Sequence, residues 1–263
     1  MFTSNMLRAL ACLFMLSDHL WATIVPGNMW MHYVGRLAFP IFAFQLTEGY
    51  RHTSDFRRYS LRLLIFGLIA EIPFNLMYAG GPIFPFHQNV MFTLLLGLLS
   101  IRAIDQIRTF ITIRQNIQSR IASPAEDSPV PALPDGPVKA ILMPVLTLTS
   151  CLIAAAIGFV DYGFWGVVMI IMFHLLHDFR GAQFFQLAAM IYINCEAFQG
   201  MFIPVEFLGQ TFELATQGFA VLALIPIWLY NGKKGSSSRV LQYFFYAFYP
   251  LHMLALALVR MYI

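Results

Sequence analysis

Arg8 and His19 stand eleven positions apart in an apolar stretch near the start of the chain. On a helix that separation is about 16 Å of rise and within roughly 20° of three whole turns, so both side chains leave the same face. An arginine fork at the mouth of a cavity matches a phosphate in shape and charge. A neutral histidine at depth can take the proton of an attacking amine or hydroxyl. The pair suits a substrate with an anionic head and a long thin arm, as coenzyme A has. The competing reading is structural, with Arg8 a basic flank at a membrane surface and His19 bonded to a neighbouring carbonyl. Asp18 adjoins His19 and could set its tautomer. Neighbours on a helix point about 100° apart, however, so Asp18 is expected to meet another helix.

Three further groups carry polar chemistry. Glu48-Gly49-Tyr50-Arg51-His52 leads into Arg57, Arg58, Tyr59 and Arg62. Arg58 and Arg62 share a helix face at a spacing of four and could clamp phosphate. The same arginines also suit a topology signal and lipid headgroups. Near the other end, Tyr246, Tyr249, Pro250 and His252 repeat the theme of the first stretch. His252 lies about as deep as His19, so the two histidines could share a site, or form an interfacial Tyr/His belt. Between them, Tyr230-Asn231-Gly232-Lys233-Lys234-Gly235 is a basic turn whose backbone N–H groups could face phosphate. Glu71, Pro73, Asn75 and Asn89 are polar points near an outer edge, and Asn89 is best read as a helix cap. The three cysteines, Cys12, Cys151 and Cys195, lack metal-ligand spacing and read as packing residues, so no metal is expected.

The elements that position these residues follow from composition. Of the 263 residues 59% are apolar and 11% charged. A soluble domain carries roughly 25% charged residues, so lipid is the solvent that fits. No basic run interleaved with aromatics supports nucleic-acid binding. A spanning helix needs about 20 mainly apolar residues. The expectation is an all-α polytopic membrane protein with about nine transmembrane helices, near 6–25, 33–50, 61–79, 88–107, 139–159, 163–176, 183–198, 212–229 and 240–259. The first of these reads as a span rather than a cleaved leader. With the N-terminus cytoplasmic and the C-terminus outside, every Lys and Arg except Arg36 and Arg260 falls on the cytoplasmic side. Residues 114–137, rich in proline and serine, read as a cytoplasmic linker within a single domain covering 1–263.

Taken together, these residues resemble the TraX family, the group named for the F-pilin acetylase. The matching stretches are Ser17-Asp18-His19, Gly35-Arg36-Leu37-Ala38-Phe39-Pro40-Ile41-Phe42-Ala43-Phe44, Glu48-Gly49-Tyr50, Tyr59 to Leu63 and Glu71-Ile72-Pro73-Phe74. Asn89 to Leu94, Asp161-Tyr162-Gly163, Tyr230-Asn231-Gly232 with Gly235, and Phe245 to His252 continue the series. The family in turn looks related to the acyltransferase-3 group, which carries an Arg and a His in its first span and an arginine-rich motif after its second.

The resemblance implies a multi-pass protein of the bacterial inner membrane that moves an acetyl group from cytoplasmic acetyl-CoA. The acceptor would be an amine or hydroxyl at the outer face: a pilin-like peptide, a glycan or a lipid. His19 is then the expected base, with Asp18, Tyr249 and His252 around it. Arg8, Arg57, Arg58, Arg62, Asn231, Lys233 and Lys234 are expected at the phosphates. Tyr246, Tyr249, His252 or Asn75 could hold the oxyanion. The rival class is a proton-coupled transporter or a non-catalytic membrane partner, using the same buried His and Glu residues as a relay.

Overall fold

The computed structural model describes residues 1–122, 136–198, 200–207, 209–236 and 238–262. Helices dominate. They are α1 (Ser4–Thr23), α2 (Met29–Gly35), α3 (Ala38–His52), α4 (Phe56–Ala79), α5 (Val90–Ala122), α6 (Pro137–Ile157), α7 (Gly163–Leu176) and α8 (Ala182–Ile191), then α9 (Leu224–Trp228) and α10 (Arg239–Arg260). A π-helical turn, Tyr192–Ala197, extends α8, and a 3-10 stretch, Thr216–Ala223, precedes α9.

Four described segments are long and apolar enough to cross a membrane: Phe56–Ala79, Val90–Ile121, Val138–Ile157 and Tyr243–Arg260. On α4, Leu61, Leu64, Ile65, Leu68, Ile69 and Ile72 are all exposed. Their spacing of three and four makes one continuous apolar stripe. Its opposite face, with Leu63, Gly67, Ala70, Phe74 and Met77, is buried. An outward apolar face over a packed inner one is the pattern of a helix at a lipid boundary.

The expected spans are redrawn in several places. Residues 33–50 divide between α2 and α3, and α3 is buried along most of its length. α3 therefore forms the centre of the bundle, packed by α1, α7 and α5. The stretch 212–229 begins not as a helix but as a strand. β1 (Phe202–Phe207) and β2 (Gln210–Ala215) pair antiparallel, Phe202 opposite Ala215. The chain is thus mostly helical, with one hairpin that an all-α reading omits. Residues 114–122, expected as linker, are the last turns of α5. At about 1.5 Å per residue this helix is about 50 Å long and outruns a bilayer core of about 30 Å. Of the rest of that proposed linker, 123–135 lies outside the described residues, and Gly136 and Pro137 open α6.

Two ends of the bundle are each tied together. At one, Phe2 pairs with Tyr230, and the N–H groups of Ser4 and Asn5 donate to the Lys233 and Lys234 carbonyls at 2.9 and 3.2 Å. At the other, Gln88 pairs with Val160, and Arg260 Nη1 donates to the Met77 carbonyl at 2.7 Å. Tyr162, at φ 62°, stacks on Phe39 at 3.9 Å. Gly166 leaves the space this ring needs, since a Cβ there would lie 2.7 Å from that of Tyr162. The Gly35–Phe44 and Asp161–Gly163 blocks therefore meet as packing.

Candidate active site

Arg8, Cys12 and Met15 form one stripe of α1 and line a cavity of about 310 Å³. The next position on that stripe is His19. α1 starts where it does because Thr3 caps it, its hydroxyl accepting the Met6 N–H at 3.3 Å. The other walls are α3, α4, α5 and α10, through Gln45, Tyr59, Arg62, Met91, Tyr246 and Tyr249. Basic groups gather at one end of this cavity, where Arg8, Arg62 and Lys234 line it with His52. Met15, Phe248 and Tyr249 belong to the other end, one helical turn from the paired histidines.

His19 and His252 are joined directly, Nδ1 to Nε2, at 2.7 Å, with ring planes within 7°. The direction of this bond can be deduced. His252 Nδ1 lies 2.7 Å from the Phe248 carbonyl oxygen, which can only accept. His252 Nδ1 therefore carries the proton. With both rings neutral, His252 Nε2 accepts and His19 Nδ1 donates. His19 is left with an unprotonated Nε2, the form a general base requires. α10 thus sets the tautomer from across the bundle.

Asp18 does not set this tautomer; as expected from its direction on α1, it meets another helix. It accepts from His32 Nδ1 at 2.8 Å and is ion-paired to Arg36. Arg36 reaches on to Gln217 at 3.4 Å, and Gln217 donates to Asn194 at 3.1 Å. Asp18 therefore ties α1 to α2, the 3-10 stretch and the π turn. Its side chain leaves a different face of α1 from His19, as the 100° offset requires. Glu48 is also committed elsewhere, to His177 at 2.7 Å.

The expected phosphate residues divide. Arg8, Arg62 and Lys234 line the cavity; Arg57, Arg58, Lys233 and Asn231 do not. Arg58 is exposed and paired with Asp55 at 3.0 Å, three residues before it. Asn231 closes the turn, its side-chain oxygen accepting the Lys233 N–H at 2.9 Å and its own N–H donating to the Phe2 carbonyl at 2.9 Å. Asn231 thus shapes the turn that presents Lys234. The outer polar residues are structural. Asn89 caps α5 by accepting the Met91 N–H at 3.0 Å and holds Gly67 at 2.9 Å, while Asn75 donates to the Pro82 carbonyl at 3.3 Å.

Gln45 is a site residue that sequence reasoning missed. Its Oε1 accepts from Ser4 at 2.7 Å, while its buried Nε2 has no partner. Arg62 Nε is likewise buried and unpartnered. Both side chains line the cavity, and a buried donor without an acceptor costs about 1–3 kcal/mol. A ligand carrying carbonyl or phosphate oxygens would supply those acceptors. One buried polar residue inside an apolar block, Ala43-Phe44-Gln45-Leu46, is the signal that was available.

The chain is 28% identical over its whole length, and over 97% of the relative's, to a probable fimbrial assembly protein FimC, serogroup H1, from Dichelobacter nodosus. No solved structure matches it. The family model described as TraX protein matches residues 3–260, so the chain belongs to the TraX family.

Proposed function

We propose that the protein is an acetyltransferase of a bacterial inner membrane, taking acetyl groups from cytoplasmic acetyl-CoA to an acceptor at the outer face. The observation that carries this reading is the cavity itself. Its basic end meets Arg8, Arg62 and Lys234, and its stripe along α1 leads to a histidine with a free lone pair. The orientation is N-terminus in and C-terminus out, which puts the Arg8 end at the cytoplasm. The relationship to the acyltransferase-3 group belongs to the same reading, supported by the Arg8–His19 spacing.

In the reaction, His19 Nε2 takes the proton of an acceptor amine or hydroxyl as that atom bonds to the thioester carbonyl carbon. The tetrahedral oxyanion receives a hydrogen bond from Tyr249 or Tyr246, whose side chains line the cavity. The carbon–sulfur bond then breaks, and the His19 proton passes to the departing thiolate. The products are an acetylated acceptor and free coenzyme A. A pilin-like peptide is the acceptor favoured here, because the family carries the pilin acetylase and the Dichelobacter relative is named for fimbrial assembly.

Coenzyme A added to the purified protein in detergent tests the donor half of this reading. The expected result is a rise in melting temperature that saturates with ligand and is lost in Arg62→Ala. A proton-coupled transporter would show no such rise.

A further inference from the structure

A second cavity, of about 870 Å³, lies beside the first, and His52 and Thr53 line both. Its walls come from the end of α3, the middle of α5 and the end of α7. Its carboxylates are already used. Asp105 accepts from the Tyr50 hydroxyl at 2.9 Å and from His174 Nε2 at 2.8 Å. Asp178 pairs with Arg51 at 2.7 Å. Among the described residues no carboxylate pairs with Arg102 or Arg108, and both line this cavity.

His174 adds a second requirement. An ionised Asp105 can only accept, so His174 Nε2 carries the proton and Nδ1 is an acceptor. That Nδ1 is buried without a partner, on a side chain that is 6% exposed and lines the cavity. The cavity thus offers two guanidinium groups to an anion and one acceptor to a hydroxyl or amine. A phosphorylated nucleoside carries both complements.

We propose that this second cavity seats the 3′-phosphoadenosine half of acyl-CoA. The 3′-phosphate lies against Arg102 and Arg108, and His174 Nδ1 accepts from the ribose hydroxyl or the adenine amine. The diphosphate crosses at His52–Thr53 to Arg8, Arg62 and Lys234, and the pantetheine arm runs into the first cavity. The assignment rests on acyl-CoA being the donor.

The test compares coenzyme A with 3′-dephospho-coenzyme A by calorimetry on the full-length protein in detergent. The wild type is expected to bind coenzyme A at least about tenfold more tightly, as befits charge-assisted bonds. The double variant Arg102→Gln, Arg108→Gln is expected to bind both alike, with dephospho affinity unchanged. Wild type that binds both ligands alike, or a preference that survives in the variant, overturns the second site and leaves the donor intact. No binding of either ligand overturns the donor reading instead. Should the double variant not fold, maleimide labelling of Ser54→Cys, on the wall of this cavity, replaces it. Adenosine 3′,5′-bisphosphate should slow that labelling. No protection, or protection by phosphatidylglycerol alone, overturns the proposal.

Discussion

At the scale of single residues, the account turns on a proton held in the right place. His252 acts through His19 by accepting from its Nδ1. His252→Ala should therefore lower kcat by about 10²-fold while leaving KM for acetyl-CoA within about threefold. His252→Gln retains a carbonyl acceptor and should recover part of the lost rate. Equal losses in both variants, or a loss confined to KM, would remove His252 from this role. Gln45→Leu should weaken donor binding by about 5-fold, since a hydrogen bond to a ligand carbonyl is worth about 1 kcal/mol; steady-state KM measures it. The Arg8–His19 relation was legible because a helical repeat converts sequence spacing into direction. The partners of Asp18 and Gln45 were not, because they come from α2 and from Ser4 across the bundle.

Elements dock through small residues and through ties between loops. A Cβ at Gly35 would collide with the Asp18 side chain, so α1 and α2 approach only because that position is glycine. Gly35→Val should destabilise the protein by about 1–3 kcal/mol, read as a lower melting temperature in detergent. On the opposite side, His87 faces Asp161 at 3.7 Å, joining the α4–α5 and α6–α7 loops. The Asp161 carboxylate pushes the His87 pKa above its ordinary 6.5. A raised folded-state value stabilises below the unfolded pKa, and that contribution disappears as pH rises through the folded one. The melting-temperature advantage of wild type over His87→Gln should thus be full below about pH 6 and shrink through neutrality. An advantage that grows with pH would contradict the pairing. The hairpin was the element least visible in sequence. Phe212 and Leu214 run directly into the apolar Thr216–Trp228 segment, and a hydropathy window merges strand and helix into one span. α5 was shortened for the opposite reason: its turns past Arg108 are too polar for a spanning stretch, yet Phe110, Ile113, Ile117 and Ile121 recur at helical spacing and continue the helix.

At the scale of the whole molecule, the two tied ends of the bundle define two faces. The N-terminus, the Lys233–Ser236 turn and the start of α4 share one; the loops at 80–89 and 158–162 and the end of α10 share the other. With the basic face cytoplasmic, Ser236→Cys should be unreachable to an impermeant maleimide added to intact cells, and Ile83→Cys, exposed on the other face, should label. The reverse pattern would invert the proposed orientation. Composition made the membrane environment plain, since so few charges cannot cover a water-facing surface. The number of crossings was less plain, because α3 is apolar through burial in protein rather than contact with lipid. An apolar run reports exclusion from water, not what excludes it.

The central claim is that His19 is the base of an acetyl transfer, and the most direct measurement follows radiolabel from acetyl-CoA into membranes carrying wild type or His19→Ala at matched protein levels. The account predicts label in an envelope acceptor with the wild type and its loss by at least about 10²-fold in the variant, with coenzyme A still bound. Equal labelling by both proteins would contradict it.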